Sequence, residues 1–258
     1  MKVFLSVVAL LSSAACAGAE IKNVDRTVPL AAHGSITLET HNGSVDVRTW
    51  DRPQIEIHAR IESASTLPDD LRRFDDTTVE VTSSPDSVSI VSTYPAVVWS
   101  WFGQSPTIYY TITAPKTARW TVRDHNAHID MRDVSATVNV DSHNGSLRVV
   151  NLAGSLEVRS HNGSVSADFA AFHGATISTF NGMADLTLPA SSQFDLSANS
   201  RHRQIESDFP VLIRTISRRV EGVEGRVNGG GAALHFTSHN GQLRLRARQE
   251  GPVGGLQQ

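Results

Sequence analysis

Asp124-His125-Asn126-Ala127, Ser142-His143-Asn144-Gly145, Ser160-His161-Asn162-Gly163 and Thr179-Phe180-Asn181-Gly182 are four versions of one phrase, and their spacing decides the fold. The asparagines fall at 126, 144, 162 and 181, a period of 18, 18 and 19 residues. Between them stand apolar i, i+2 pairs: Trp120/Val122, Ile129/Met131, Val138/Val140, Leu147/Val149 and Leu156/Val158. An apolar pair with a polar residue between its members has the period of a strand, not of a helix. Asn-Gly at every second junction suits a turn, because both residues tolerate positive φ. The junctions between, Ser135-Ala136, Gly154-Ser155 and Gly174-Ala175, also carry small residues. Each unit of about 18 residues is therefore strand, Asn-Gly turn, strand, small-residue turn.

Two architectures satisfy that unit. In a β-solenoid, or β-helix-like coil, successive units stack and equivalent residues form ladders ~4.8 Å apart. In an antiparallel meander the Asn-Gly pairs close hairpins. Identical residues at fixed spacing favour the solenoid, since a meander needs only turn-formers near each strand end. A Ca²⁺-binding nonapeptide roll would need Gly-Gly-x-Gly-x-Asp, which the chain lacks.

Outward from the array, Gly34 to Arg48 is another copy, with Thr40-His41-Asn42-Gly43 at its turn, and Gln54 to Ile61 is a third alternating strand. Thr66 to Asp76 reads as one short helix, with Thr66 as cap, Pro68 in the first turn and Asp69 and Asp70 at its positive end. Tyr94 to Tyr110 holds the densest aromatic cluster, and Trp99, Trp101 and Phe102 are the candidate interaction surface. The blander reading, an aromatic cover for the end of the core, is favoured because a repeat must close its ends. Gly222 to Gly231 reads as a flexible loop, and Ser238-His239-Asn240-Gly241 is the last copy.

Residues 1–19 carry one Lys, an apolar run from Val3 to Leu11 and Ala17-Gly18-Ala19, the pattern of a secretory signal cleaved before Glu20. The run is too short to span a bilayer, and no other apolar run approaches that length. The domain is expected over 20–250, a single β-repeat unit, with 251–258 as a disordered tail. The mature chain would have 258 − 19 = 239 residues and, without Lys2, a formal charge of −4 in place of −3. The expected address is exported: periplasm, cell surface or extracellular. The one cysteine, Cys16, follows Ser13-Ala14-Ala15, which approximates a lipoprotein processing box but has Ser13 where Leu belongs; cleavage after Ala19 is favoured over a lipid anchor at Cys16. That leaves no cysteine for a disulfide. A near-neutral balance argues against nucleic acid as partner. The expected partner is an envelope protein or a polysaccharide, and no cofactor is implied.

Taken together, the Asn-Gly repeats, Val47-Arg48-Thr49-Trp50-Asp51-Arg52, Ile112-Thr113-Ala114-Pro115-Lys116, Asp208-Phe209-Pro210, Gly229-Gly230-Gly231 and Leu234 to Gly241 resemble the bacterial putative-adhesin family of envelope proteins of unknown function. The resemblance spans most of 34–248. It implies an exported, solenoid-like protein with no assigned catalytic residues. The His before Asn-Gly departs from the family pattern, where that position varies.

Two constellations bear on chemistry. In a coil of 18 residues His125, His143 and His161 would stack at one edge, with His41 and His239 as outlying copies. Such imidazoles would bind Zn²⁺ or Cu²⁺ only if they converged, which a linear ladder does not do, so stacked turn residues are the favoured account. Enzyme motifs such as Gly-x-Ser-x-Gly and His-Glu-x-x-His are absent, and no catalytic residue is assigned. The alternative is a carbohydrate-active β-helix enzyme with Asp130, Arg132, Arg148, Glu157 and Arg159 clustered on one outer face, against which ladders of opposite charge account for them equally well.

Overall fold

The computed structural model describes residues 20–95, 105–201, 205–217 and 222–248. Residues 1–19 with Cys16, expected as a signal, the aromatics Trp99, Trp101 and Phe102, and residues 251–258, expected as a tail, lie outside the described residues. Among the described residues the chain is all-β with one helix, and its strands follow the period-two pattern. It runs through β1 (Ile21–Pro29), β2 (Ser35–Glu39), β3 (Asn42–Trp50), β4 (Gln54–Glu62), α1 (Pro68–Asp76), β5 (Thr78–Ser84), β6 (Ser87–Thr93) and β7 (Thr107–Pro115). The array follows as β8 (Arg119–Asp124), β9 (Asn126–Arg132), β10 (Val138–Ser142), β11 (Ser146–Asn162), β12 (Val165–Asn181) and β13 (Met183–Pro189). The last third holds β14 (Phe194–Ser200), β15 (Ile205–Ser207), β16 (Leu212–Ser217), β17 (Gly222–Val227), β18 (Ala232–Ser238) and β19 (Gln242–Arg248).

Within the array all pairing is parallel. Trp120 pairs with Val138 and Val138 with Leu156; Ile129 pairs with Leu147 and Leu147 with Val165. Each offset is the 18-residue period of the asparagines, so the Asn-Gly junctions are corners between two ladders of strands and not hairpin turns. One ladder runs β5–β6–β2–β8–β10–β11–β12–β18–β14–β17–β16, the other β1–β4–β7–β3–β9–β11–β12–β13–β19–β15, with β11 and β12 long enough to serve both. The inward member of each alternation is buried: Val122, Ile129, Met131, Val138, Val149, Leu156, Val158 and Ile177 are at most 1% exposed and join a single apolar cluster. Burial of apolar surface in that cluster, at roughly 25 cal/mol per Å², is the driving term.

The spatial order differs from the chain order at both ends. β2 sits between β6 and β8, and β3 between β7 and β9, although the chain visits β6 and β7 in between. Likewise β18 lies between β12 and β14. Antiparallel strands finish three of the four ladder ends, β4 on β7 and β1 on β4, β5 on β6, and β17 on β14 with β16 on β17, while the fourth ends on β15, parallel to β19. A parallel ladder left bare would offer its edge to another chain, and at three of the ends a reversed strand lies over that edge.

Two expectations are corrected. The helix is entered from Leu67 and no side chain caps it in the usual way, so Thr66 is not its cap. Instead the Ser65 hydroxyl accepts the Leu67 amide (3.1 Å) and donates to buried Asp70, while Lys22 Nζ from β1 donates to the carbonyls of Phe74 (2.6 Å) and Asp75 (3.0 Å) at the far end. The stretch Gly222 to Gly231 is not a loop throughout: 222–227 is strand β17. A Cβ on Gly225 would stand 2.9 Å from the Leu212 carbonyl oxygen, so glycine there admits a close neighbour. The turn proper is Asn228 to Gly230, all three at positive φ (50°, 96° and 86°).

Candidate functional site

The Asn-Gly corners share one plan, with Ala127 in place of the glycine at one of them. The first residue of the phrase points inward: Ser142, Thr179 and Ser238 are buried. At two of the corners its oxygen accepts the amide three residues on, Ser142 Oγ from Gly145 (2.9 Å) and Asp124 Oδ1 from Ala127 (2.8 Å), whereas the buried hydroxyl oxygens of Ser160, Thr179 and Ser238 accept no such bond. The glycine faces inward against the coil beside it. A Cβ on Gly163, Gly182 or Gly241 would stand inside 3.0 Å of the carbonyl oxygen of Gly145, Gly163 or Gly182. Positive φ is the reason at Gly43 alone among these corners (129°), and none of the corner asparagines is left-handed. Glycine is needed for room between coils, which corrects the expectation from turn chemistry.

The two outward residues form continuous ladders. Each asparagine amide donates to the carboxamide oxygen of the coil beside it: Asn126 to Asn42 (3.0 Å), Asn144 to Asn126 (3.0 Å), Asn162 to Asn144 (2.9 Å), Asn181 to Asn162 (2.8 Å) and Asn240 to Asn181 (2.9 Å). The rings stack beside them in the order His41, His125, His143, His161, Phe180, His239. Their centroids are 4.6–5.0 Å apart and their planes 2–9° from parallel. Tyr94 leans on the His41 end at 5.5 Å and 57°. His41 and His239, expected as outlying copies, are rungs of the same stack; chain separations of 84 and 59 residues concealed it.

Electrostatics at the corner are set by burial. Desolvation holds the His41 imidazole below its ordinary value, the charge of His125 adds to that, and Asp124 opposes it. Burial raises the Asp124 carboxyl, against the Ala127 amide and the Ser142 hydroxyl, which favour its ionised form. Shallow recesses flank the rings on the β8–β10 side: about 320 Å³ around Glu39, His41, Tyr94, Arg123 and His125, and about 370 Å³ around Asp141, His143, Arg159, His161 and Phe180.

His125, His143 and His161 are thus brought together as parallel rings stacked 4.7 and 5.0 Å apart. Tetrahedral ligation at about 2 Å needs convergence, and among the described residues no three candidate ligands are placed to hold an ion. The acid and arginine group does not form one cluster. Asp130 takes Arg132 (3.0 Å) and Arg148 (2.9 Å) on the β9–β11 ladder, whereas Glu157 pairs with Arg159 (2.7 Å) on the β10–β11 ladder. Arg148 lies one full coil from Asp130, but Glu157 lies nine residues beyond Arg148, half a coil, and so falls on the other wall.

The family profile of Toastrack DUF4097 matches residues 33–207, which is 175 of the 258 residues. The chain belongs to the Toastrack DUF4097 family. The last phrase, with His239 and Asn240, lies past the matched stretch of this Toastrack chain and yet completes its ladders. No curated protein matches it. Among solved structures, a putative cell adhesion protein from Clostridium sporogenes is 8% identical, covers 88% of this chain and 100% of its own, and superposes with a TM-score of 0.48. A putative adhesin from Bacteroides fragilis is 10% identical, covers 88% of this chain and 97% of its own, and has a TM-score of 0.31. No helix among the described residues is long and apolar enough to cross a membrane.

Proposed function

We propose that this chain is a non-catalytic, exported protein of the bacterial envelope whose coils form a β-solenoid and whose repeated surface makes adhesive contact with an envelope polymer or a partner protein. The observation that carries the reading is the corner ladder, in which six coils present the same pair of outward groups in register. A repeated row of this kind suits a repeated partner, because each added rung contributes a further contact at the same spacing. The arrangement of the outer charges agrees: Asp130, Glu157, Asp185 and Asp195 are each engaged by arginine on the sheet surface. The structural neighbours described as adhesion proteins fit the same role.

The test uses the exported chain on a glycan array and on whole cells, with the mass of its N-terminus measured. Binding, with a chain beginning at Glu20, is the expected result. Release of sugar from any array hit would overturn the non-catalytic part, and a lipid-modified chain beginning at Cys16 would replace the expected N-terminus.

A further inference from the structure

The ring stack has a property that narrows its partner. The four inner rings, His125, His143, His161 and Phe180, are each stacked on both faces at 4.6–5.0 Å, so their faces are covered and their edges meet solvent. Sugar C–H groups and nucleic-acid bases bind aromatic side chains through their faces; this edge denies both. What it offers instead is a row of imidazole nitrogens, and beside it a row of carboxamides that each use one N–H for the ladder and have a second. Donors repeated at one spacing along a line match acceptors repeated along a line. The strongest such acceptors are carboxylates, whose hydrogen bonds to a protonated imidazole are charge-assisted.

We propose that the imidazole edge from His41 to His239 binds a linear acidic polysaccharide of the polyuronate type, successive carboxylates meeting successive imidazoles, with uptake of protons on binding. The inference rests on the reading of this chain as a contact protein and names the class of polymer. The surrounding charges permit it. Arg123 and Arg159 lie in the flanking recesses, paired with Glu39 (2.6 Å) and Glu157 (2.7 Å). Tyr94 closes the His41 end, and its burial favours the neutral phenol. On the β9 side stands His128, hydrogen-bonded to Ser146. The opposing acids are Asp124, which burial shifts toward its neutral form, and Asp141, exposed in the recess of His143. Close imidazoles repel one another once charged, and a carboxylate at each rung removes that penalty, so affinity and protonation rise together.

Calorimetry of the exported chain with polygalacturonate, at about pH 5.5 and about pH 7.5 and in buffers of different ionisation heat, brackets the ordinary imidazole range. We expect binding about tenfold tighter at the lower pH, with net proton uptake. The double variant His143→Phe/His161→Phe keeps a ring at every rung, as Phe180 does naturally, and is expected to unfold like the parent while losing most of the binding at the lower pH. Phe180→His adds an imidazole to the row and is expected to tighten binding. The proposal is overturned if affinity is independent of pH, if the double variant binds like the parent, if Phe180→His leaves binding unchanged, or if fully methyl-esterified polygalacturonate, polyphosphate or single-stranded DNA binds as well as the acid form. Adhesion to whole cells without binding to polygalacturonate would sink only the choice of polymer; failure of both would sink the contact reading itself.

Discussion

The two corners of each coil are made by opposite strategies. The Asn-Gly corner repeats one solution, with inward hydroxyl or carboxylate, outward ring, outward amide and inward glycine. The corner across the core changes from coil to coil: Asp133 and Asn151 at positive φ (59° and 61°) in two coils, then Phe169 to Gly174 in the next, where Gly174 has φ 124° and the pairing of β11 with β12 shifts register. The two strands of the longer coil show where its extra residue went. Leu147 pairs with Val165, an offset of 18, but Leu156 pairs with Ala175, an offset of 19, so the insertion sits in the variable corner and the Asn162–Asn181 rung stays intact at 2.8 Å. A corner that carries a hydrogen-bonded ladder cannot accept a residue more or fewer without breaking a rung on each side. The corner across the core, where the one such amide bond among the described residues runs from Asn151 to Asp133, can.

That contrast is open to direct attack. The largest effect is expected from Gly163→Ala, whose Cβ collides with a backbone carbonyl that cannot move without shifting its whole coil. A loss of about 3 kcal/mol or more is expected in urea unfolding, or failure to fold. Gly174→Ala, at the variable corner, has its nearest obstacle, the Ala233 carbonyl oxygen, at 3.3 Å, and should cost only its backbone strain, about 1–3 kcal/mol. If the two variants unfold together, the distinction between the corners is lost. Next comes Asn162→Ala, which removes two amide bonds of the ladder and should cost about 1–3 kcal/mol. Asn151→Gly should be within about 0.5 kcal/mol of neutral, since glycine relieves the positive φ as the single bond to Asp133 (2.6 Å) is given up.

The pH dependence sharpens the comparison further. His41 is depressed in the folded chain, so the unfolded chain takes up the proton first, and stability is lost as pH falls from about 6.5 through the lowered folded value. His41→Phe should flatten that limb in unfolding midpoints measured across the range. Asp124 is raised, so its penalty is absent at low pH and grows as pH rises from about 3.8 to the folded value. Asp124→Ser, the residue the next two coils use at this place, should therefore raise the neutral-pH midpoint and leave the acid one unchanged. The smallest effect, below about 0.5 kcal/mol, is expected for Glu157→Gln, which removes an exposed ion pair.

Much of this was legible from residues alone, and the failures have identifiable physical sources. The strands, their inward faces and the stacking of His125, His143 and His161 follow from period two and period 18. Asp130 and Glu157 are both outward, but 157 − 130 = 27 residues is one and a half coils, which puts them on different walls. The corner glycines were assigned to φ because turn chemistry is local, whereas their true constraint is a carbonyl in the neighbouring coil. Thr66 was chosen as cap by residue type, and Ser65 holds the helix entry because it also reaches Asp70.

By itself, then, the order of residues determined the local alternation, the length of a coil and the identity of the groups at its corner, since these depend on neighbours a few residues or one period away. Only the tertiary structure decided that the coil of His41 lies against that of His125 and the coil of His239 against that of Phe180, and that reversed strands finish three of the four ladder ends. Hydrogen bonds between strands are blind to how far apart in the chain their partners lie, so a coil fits wherever an edge with matching rungs is open.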